Sequence, residues 1–305
     1  MQIDIIDENL KCINLENFIN TWIYSDRDLT FLVDPGPTVF IDSLKKSLNT
    51  LNIGKTDLNY ILLTHPHIDH AGGVGKLLES FPQANVICHP YGIKHLINPK
   101  KLWEASLKVL GREAELYGKI EPVPEDRISY MEEIEDGAIK VIETLGHSPH
   151  HQSYYFKNIL FIGEACGHHY PSDITIYIRP ATPPIFDYDK YISSLQNLLN
   201  QDLDNYKICF PHWGIRDNAA KIIKIAYTQI MTWLKIIESL YDKRYEPNFM
   251  NLFLEELDKA DPIFSHLKLL DKEVQTRETF VLRQSVSGIM GYIENKRRKK
   301  SIELN

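Results

Sequence analysis

The chain has 305 residues, of which 43% are hydrophobic and 25% are charged, and its formal net charge at pH 7 is −7. This length allows one large domain or two smaller ones, and the composition is that of a soluble globular protein. The acidic balance argues against a general nucleic-acid-binding protein, and no apolar run approaches the length that spans a membrane.

The cysteines and the N-terminal residues both favour a cytoplasmic protein. The N-terminus lacks the basic region and apolar core of a signal peptide. The four cysteines form no Cys-x-x-Cys pair, so we expect free thiols in a reducing compartment. Cys88 and Cys209 lie in apolar strand-like runs and are predicted to be small core residues. Cys166 is predicted to be packed as well, with a reactive thiol as the alternative.

Strand and helix patterns alternate over the first two thirds of the chain. Strands are predicted where short apolar runs end at turn residues, and helices where apolar residues recur at three- and four-residue spacing. The predicted strands are residues 18–24, 29–33, 58–63, 85–88, 139–145, 153–156, 159–162 and 206–210. The predicted helices are residues 40–48, 73–80, 101–117 and 191–199.

From about Arg216 onward the strand signals stop and the helical spacing continues. The helices predicted there are residues 222–240, 248–257 and 272–292. We therefore expect residues 1–215 to form one domain, and residues 216–305 a helical region that caps a site or forms a subunit interface. Because an apolar helical appendage commonly packs against a second subunit, a homodimer is the oligomer to test. The basic run at residues 296–300 is predicted to be a solvated segment.

The most informative stretch is Thr-His-Pro-His-Ile-Asp-His-Ala-Gly-Gly at residues 64–73, directly after an apolar strand. Residues two apart on an extended backbone point the same way, and the proline biases the residue before it towards that conformation. His65 and His67 can therefore bind one metal ion together. Asp69 and His70 lie past the bend and can turn to a second ion beside the first. Imidazole and carboxylate ligands suit zinc, iron or manganese.

Three later strands also end at candidate ligands. These are His147 in Gly-His-Ser-Pro-His-His, Glu164 in Phe-Ile-Gly-Glu and His212 in Pro-His-Trp-Gly. Strands laid side by side bring their ends to one edge of a sheet, where loop residues converge. The sequence therefore predicts that these residues join the first motif in one site.

With these motifs the chain resembles the metallo-β-lactamase fold superfamily, whose signature is His-x-His-x-Asp-His followed by a separate His, Asp and His. The match covers about residues 12–215. The motif at residues 64–73, the Gly-His-Ser-Pro-x-His segment and the Phe-x-Gly-Glu segment are most similar to the glyoxalase II-like branch. The resemblance implies an α/β fold, a four-layer αββα sandwich with the metals at one edge of its two sheets. The helices after residue 215 would then be an appendage to this fold.

The resemblance also implies the ligands of two divalent metal ions, zinc first, with iron or manganese as alternatives. The first ion would take His65, His67 and His147, and the second Asp69, His70 and His212. Glu164 stands where the family has a bridging aspartate, and the extra methylene changes its reach. With glutamate at this position, either one or both of the metal sites would fill.

Three further residues adjoin the predicted ligands. Asp34 matches the aspartate of the family's strand-end Asp-x-Gly turn, so it is a candidate to orient a ligand, with a simple Asx turn as the alternative. His150 and His151 follow His147 closely. Both are predicted to be structural, because the ligand count is complete without them.

Substrate contacts are predicted beside the metal ligands. His168 and His169 follow Glu164 and are candidates to bind substrate or relay a proton. Arg179 is a candidate substrate-binding residue in a cap made with the helix near residues 100–120 and the C-terminal helices.

The predicted function is a metal-dependent hydrolase acting on a small ester or thioester. A bound cation lowers the pKa of water to about 7 and so provides metal-bound hydroxide at neutral pH. Asp69 would act as the catalytic residue that orients this nucleophile. The alternatives are a metallo-phosphodiesterase, a metal-bearing regulatory protein with little hydrolysis, and iron-dependent sulfur chemistry. The histidine at position 67, where oxygen-reducing flavodiiron relatives carry glutamate, favours hydrolysis. We expect a small-molecule substrate and neither a nucleic-acid nor a membrane partner.

Overall fold

The computed structural model describes residues 1–15, 19–170 and 175–303, without the side chains of Phe280 and Glu303. Phe18, which begins one predicted strand, lies outside these residues. The chain divides into two compact units whose segments interleave. Unit 1 comprises Met1–Glu143, His150–Gly163 and Ile208–Ile215, and unit 2 comprises Thr144–Pro149, Glu164–Lys207 and Arg216–Asn305. The predicted two-domain division at residue 215 remains a prediction.

The strands of the described residues are numbered in chain order. They are β1 (Gln2–Ile5), β2 (Leu10–Leu15), β3 (Ile19–Ser25), β4 (Thr30–Val33), β5 (Tyr60–Leu62), β6 (Asn85–Ile87), β7 (Ile128–Ser129), β8 (Glu133–Ile134), β9 (Ile139–Glu143), β10 (Gln152–Phe156), β11 (Ile159–Phe161), β12 (His168–Tyr170), β13 (Tyr177–Arg179), β14 (Lys207–Cys209) and β15 (Ile215–Arg216).

The helices are numbered in the same way. They are α1 (Ile41–Thr50), α2 (Ile68–Ala71), α3 (Val74–Leu78), α4 (Pro90–Ile97), α5 (Lys100–Leu110), α6 (Arg112–Tyr117), α7 (Tyr188–Leu199), α8 (Ala219–Ser239), α9 (Phe249–Ala260), α10 (Pro262–Ser265) and α11 (Lys272–Glu303). Short 3₁₀ helices lie at Thr38–Phe40, Glu125–Arg127, Tyr241–Lys243 and His266–Leu269. None of the helices among the described residues is both long and apolar enough to cross a membrane.

Two large sheets make up most of unit 1. The first has seven strands in the order β1 to β7, antiparallel from β1 to β4 and parallel from β4 to β7. The second has six strands in the order β15-β14-β11-β10-β9-β8. Parallel register in the first sheet pairs Leu32 with Ile61 and Ile61 with Val86, so β4, β5 and β6 end at the same edge.

Aromatic side chains fill the space between the two sheets. Phe31 of β4 lies 5.1 Å from Phe156 of β10 and 5.9 Å from Phe161 of β11, measured between ring centroids. Trp22 of β3 lies 6.4 Å from Phe161 and donates its indole N–H to the backbone carbonyl of Phe210. Each edge-to-face aromatic pair contributes roughly 0.5–1.5 kcal/mol beyond area burial. Successive side chains of β3 point to opposite faces of the sheet. Ile19 and Ile23 therefore pack into one core, and Trp22 and Tyr24 into the other.

The opposite face of the seven-stranded sheet is covered by helices. Ile23 and Ile61 of the sheet belong to one buried cluster with Leu44 and Leu48 of α1 and Leu77 of α3. The apolar stripe of α1 has three- and four-residue spacing, which is the pattern that predicted this helix. The mixed α/β architecture expected from the sequence is confirmed.

Unit 2 contains the hairpin of β12 and β13 and the helices from α7 onward. Trp233 of α8 lies 5.5 Å from Phe253 of α9 and 6.2 Å from Phe264 of α10. Its indole N–H donates to Asp261, which also caps α10. These contacts give the C-terminal helices a core of their own.

Several elements differ from the sequence predictions, and β1, β2, β7, β8, β15 and α4 were not predicted. The single helix expected over residues 101–117 is two helices, because Gly111 adopts φ +56° between α5 and α6. The hairpin of β12 and β13 was not predicted, and α11 continues past residue 292 to Glu303. The basic run at residues 296–300 therefore lies on a helix, with exposed side chains as expected.

We expect all four thiols to be unreactive in the native protein. Each cysteine is buried and outside any disulfide bond, and burial raises the pKa of Cys12, Cys88 and Cys166, which lowers their thiolate fraction near pH 8. Titration with a chromogenic disulfide should find almost no fast-reacting thiol before denaturation and four thiols in guanidinium chloride. A fast native thiol at Cys166 would contradict the packed assignment.

Candidate metal centre

The parallel strands of unit 1 deliver polar side chains to one edge. Asp34 follows β4, and Thr64 and His65 follow β5, which is its parallel neighbour. The Asp34 carboxylate accepts hydrogen bonds from the Thr64 backbone N–H at 2.8 Å and from the Thr64 hydroxyl at 2.7 Å. The two strand ends are thus locked together immediately before the histidine motif.

His65 and His67 bring one ring nitrogen each to the same place. Nε2 of His65 lies 2.9 Å from Nδ1 of His67, and the other nitrogen of His65 lies 3.0 Å from the Thr64 hydroxyl. Two nitrogens bound to one zinc ion at about 2.0–2.1 Å are roughly 3 Å apart. The spacing predicted from the extended backbone therefore suits a shared cation.

Asp69, His70 and His212 form a second group within unit 1. Their ligand atoms all lie within 4.8 Å of one another. Oδ2 of Asp69 lies 3.5 Å from Nε2 of His70 and 3.8 Å from Nε2 of His212. Both imidazoles are buried, whereas the Asp69 side chain is 22% exposed. Asp69 is therefore the member of the group that solvent or a substrate can approach.

Asp34 orients His70. Its Oδ2 lies 3.0 Å from Nδ1 of His70, which leaves Nε2 of that ring on the side of Asp69 and His212. A carboxylate on the far nitrogen of an imidazole fixes the tautomer and raises the basicity of the nitrogen that faces the metal. These contacts favour the orienting role of Asp34 over a simple Asx turn.

Unit 2 presents His147 and Glu164 side by side. Nδ1 of His147 lies 2.9 Å from the backbone oxygen of Ala181, and its Nε2 lies 2.7 Å from Oε2 of Glu164. The preceding Gly146 has φ +126°, and a Cβ there would come within 2.4 Å of the Tyr191 backbone. Only glycine can therefore place the histidine at this position.

Glu164 is buried between two imidazoles. Its Oε1 contacts Nε2 of His168, so both carboxylate oxygens have a histidine partner. Burial by itself raises the pKa of a carboxyl group, but His147 and His168 outweigh it and lower the pKa of Glu164 well below its usual value. Burial, and then the adjacent Arg179, lower the pKa of His168 to about 4, so this ring is neutral at pH 7.

The residues predicted to bind substrate are engaged within unit 2. Arg179 is buried and donates to Glu278 and to His168. His169 is buried and accepts a hydrogen bond from Nε of Arg216 at 2.8 Å. Their substrate-binding roles remain predictions, and the contacts of Arg179 favour an action through His168 instead.

The donor sets fit a divalent metal ion. Imidazole nitrogens and carboxylate oxygens are the ligands of zinc, iron and manganese, and rings of both units have their second nitrogen held by a neighbour. Unit 1 brings together five predicted ligands: His65, His67, Asp69, His70 and His212. Unit 2 brings together His147, Glu164, His168 and Arg179.

Comparison with known proteins assigns the family. The sequence model of the metallo-β-lactamase superfamily matches residues 15–212 of this chain. The chain belongs to this superfamily. The superfamily fold expected from the motifs is thereby confirmed, with a helical segment after it.

Individual relatives give the same result. The metallo-β-lactamase fold-containing protein ST1585 of Sulfurisphaera tokodaii is 33% identical over 52% of this chain and 61% of its own. Its crystal structure matches 81% of this chain and 98% of that chain with a TM-score of 0.61 at 26% identity. Hydroxyacylglutathione hydrolase 1 of Vibrio vulnificus is 27% identical over 67% of this chain and 65% of its own. The chain thus spans less than two thirds of these curated relatives.

The remaining histidines near the motif have structural contacts. His89 accepts the backbone N–H of Tyr91 at the start of α4, and its other nitrogen lies 2.9 Å from Glu143. His151 is buried, and a Cβ on Gly163 would approach its ring to 2.5 Å. His150 lies between the rings of His67 and His95, at 6.2 and 5.9 Å.

The sequence did not reveal several residues that contact the predicted site residues. Thr64 could have been found, because it lies in the motif at a strand end beside Asp34. The backbone oxygen of Ala181 and the side chains of Arg216 and Glu278 carry no local signal. Their roles depend on contacts between segments far apart in the chain.

We expect Asp34→Asn to weaken zinc binding about 10- to 100-fold, because the amide cannot replace the carboxylate on Nδ1 of His70. Competition with a chromophoric chelator measures this affinity. Asp26→Asn is the matched control, since Asp26 binds its own turn and Tyr24 and contacts none of the proposed ligands in the hydrogen bonds of the described residues. Equal affinities in the two variants would exclude the orienting role.

Proposed function

We propose that this protein is a metallo-hydrolase that holds two divalent metal ions. His65, His67 and His147 would bind the first ion, and Asp69, His70 and His212 the second, with Glu164 at the bridging position. The observation that carries the proposal is the meeting of Asp69, His70 and His212 within 4.8 Å, with His70 oriented from behind by Asp34. Zinc is the proposed metal, with iron or manganese as the alternatives.

In the proposed mechanism, the metal ions and the protein side chains have different roles. A divalent cation, when bound, activates water near neutral pH and stabilises developing negative charge on an acyl oxygen. Asp69 orients the water and receives its proton, because it is the exposed carboxylate of its group. The buried imidazoles of His70 and His212 exclude bulk water behind the reacting atoms. Asp34 and Thr64 keep the loop fixed during turnover.

A small ester or thioester is the proposed substrate class. Members of the superfamily are metallo-hydrolases, and one relative bears the name of a hydrolase of hydroxyacylglutathione, which is a thioester. The fold alone does not name the reaction, so phosphodiesters belong in the same assay panel.

A regulatory protein with little hydrolysis is the second candidate. The observation that favours it is the glutamate at position 164, whose two oxygens are taken by His147 and His168. Zinc content separates the two proposals, because the regulatory candidate would gain metal when Glu164 is shortened to aspartate.

The cellular compartment of the protein is proposed from its cysteines. Four buried cysteines that form no disulfide suit a reducing cytoplasm. The homodimer remains a prediction, which light scattering of the purified protein can check.

We expect close to two zinc or manganese ions per chain and turnover of a thioester or ester. The double variant His65→Ala/Asp69→Ala should lose metal and at least about 100-fold of kcat/KM, because several kcal/mol of transition-state stabilisation disappear. His266→Ala is the control, since its ring bonds to the Thr175 hydroxyl and the Ile176 carbonyl and His266 is not a proposed ligand. Unchanged turnover and metal content in the double variant would refute the proposal.

Removal of metal should lower the melting temperature. A ligand that binds only the folded state stabilises it by about 2.7 kcal/mol at 100 times its Kd. Chelator treatment followed by dialysis should therefore reduce the Tm, and added zinc should restore it. A Tm that ignores both treatments would show that no ion binds the folded chain.

A further inference from the structure

A chain of polar contacts in unit 2 runs from Glu164 to the C-terminal helix α11. Oε1 of Glu164 contacts Nε2 of His168, and Nδ1 of His168 lies 3.1 Å from Nη2 of Arg179. Nε of Arg179 then donates to Oε2 of Glu278 on α11 at 2.6 Å. Three successive contacts thus connect a proposed metal ligand with a helix that contributes no ligand.

Arg179 determines which atoms donate and which accept along this series of contacts. A guanidinium has only donors, so Nδ1 of His168 is the acceptor in their contact. A neutral imidazole then carries its proton on Nε2, the atom that contacts the Glu164 carboxylate. In this tautomer Nε2 has no lone pair for a metal ion. His168 therefore holds Glu164 instead of competing with it as a ligand.

Glu278 in turn fixes Arg179. Its carboxylate is fully buried and accepts from the hydroxyls of Tyr170 at 2.7 Å and Tyr177 at 2.9 Å, besides Arg179. Nη1 of Arg179 donates to the Ser285 hydroxyl and to a backbone carbonyl, both at 3.3 Å. A buried ion pair is retained when its other donors and acceptors are also bound, which is the case here. The guanidinium has little freedom to turn away from His168.

We propose that Arg179 and Glu278 are positioning residues that act through His168 to hold the Glu164 carboxylate ready for a metal ion. The inference rests on the proposed function, in which Glu164 is a metal ligand. A glutamate has one more rotatable bond than an aspartate, and fixing it costs more side-chain entropy. The contacts with His147 and His168 fix both oxygens, and Arg179 and Glu278 fix His168. The C-terminal helix is therefore part of the metal-binding machinery.

The test measures zinc affinity of the full-length apo protein by competition with a chromophoric chelator. The double variant Arg179→Met/Glu278→Gln removes both charges, so no unpaired charge is left buried. We expect its zinc affinity to fall about tenfold. In a Glu164→Asp background the same double substitution should leave zinc affinity unchanged, because the shorter carboxylate loses contact with His168.

Two further variants separate positioning from general destabilisation. Leu282→Ala opens a cavity one helical turn beyond Glu278 and leaves the polar chain intact, so it should lower the melting temperature but keep zinc affinity. Arg179→Lys keeps the ion pair with Glu278, but one ammonium group cannot replace the guanidinium on both Glu278 and His168. It should weaken zinc binding without loss of folding, and it carries the test if the double variant does not melt cooperatively.

Three results would overturn the inference. The first is that Arg179→Lys and the folded double variant both bind zinc as tightly as the wild-type protein. An equal loss in the Glu164→Asp background is the second, since the effect would then not pass through Glu164. A tenfold loss in Leu282→Ala is the third. Failure of the wild-type chain to bind zinc, manganese or iron at all would instead refute the proposed function.

Discussion

Buried carboxylates organise this structure, because a charged oxygen removed from water must receive hydrogen bonds from the protein. Asp34 receives them from Thr64 and His70, and Glu278 from two tyrosines and Arg179. In both cases the donors come from segments far apart in the chain. Satisfying each carboxylate therefore fixes the position of an imidazole near the proposed metal ions. Loss of one such carboxylate would disturb the site more than loss of a peripheral ion pair, which contributes little.

The sheets explain why the ligands fall where they do. A strand fixes the direction of the residue that follows it, and parallel neighbours place those residues at one edge. Asp34 and Thr64 are adjacent for this reason. In unit 2, Gly146 packs closely against Tyr191. A side chain at position 146 would clash there and displace His147. The loops of the site are thus short and tied to rigid elements, which suits groups that must stay in place during a reaction.

Local patterns were enough to predict much of the fold and of the site. Short apolar runs that end at turns identified β3 and β10, and the histidine motif identified the pairing of His65 with His67. The hairpin of β12 and β13 was missed because its stabilising partner, Glu278, lies on α11 and leaves no trace in the hairpin sequence. The break at Gly111 was missed because apolar spacing continues across it. Long-range polar contacts and single backbone angles are the features that periodicity does not encode.

The interleaving of the two units has a consequence for synthesis from the N-terminus. Unit 1 takes its last segment from Ile208–Ile215, after most of the middle part of unit 2 has already been made. Arg179 belongs to that middle part, yet its counter-ion Glu278 is translated about a hundred residues later. A nascent chain must therefore carry an uncompensated arginine, with its hairpin incompletely buried, until α11 emerges.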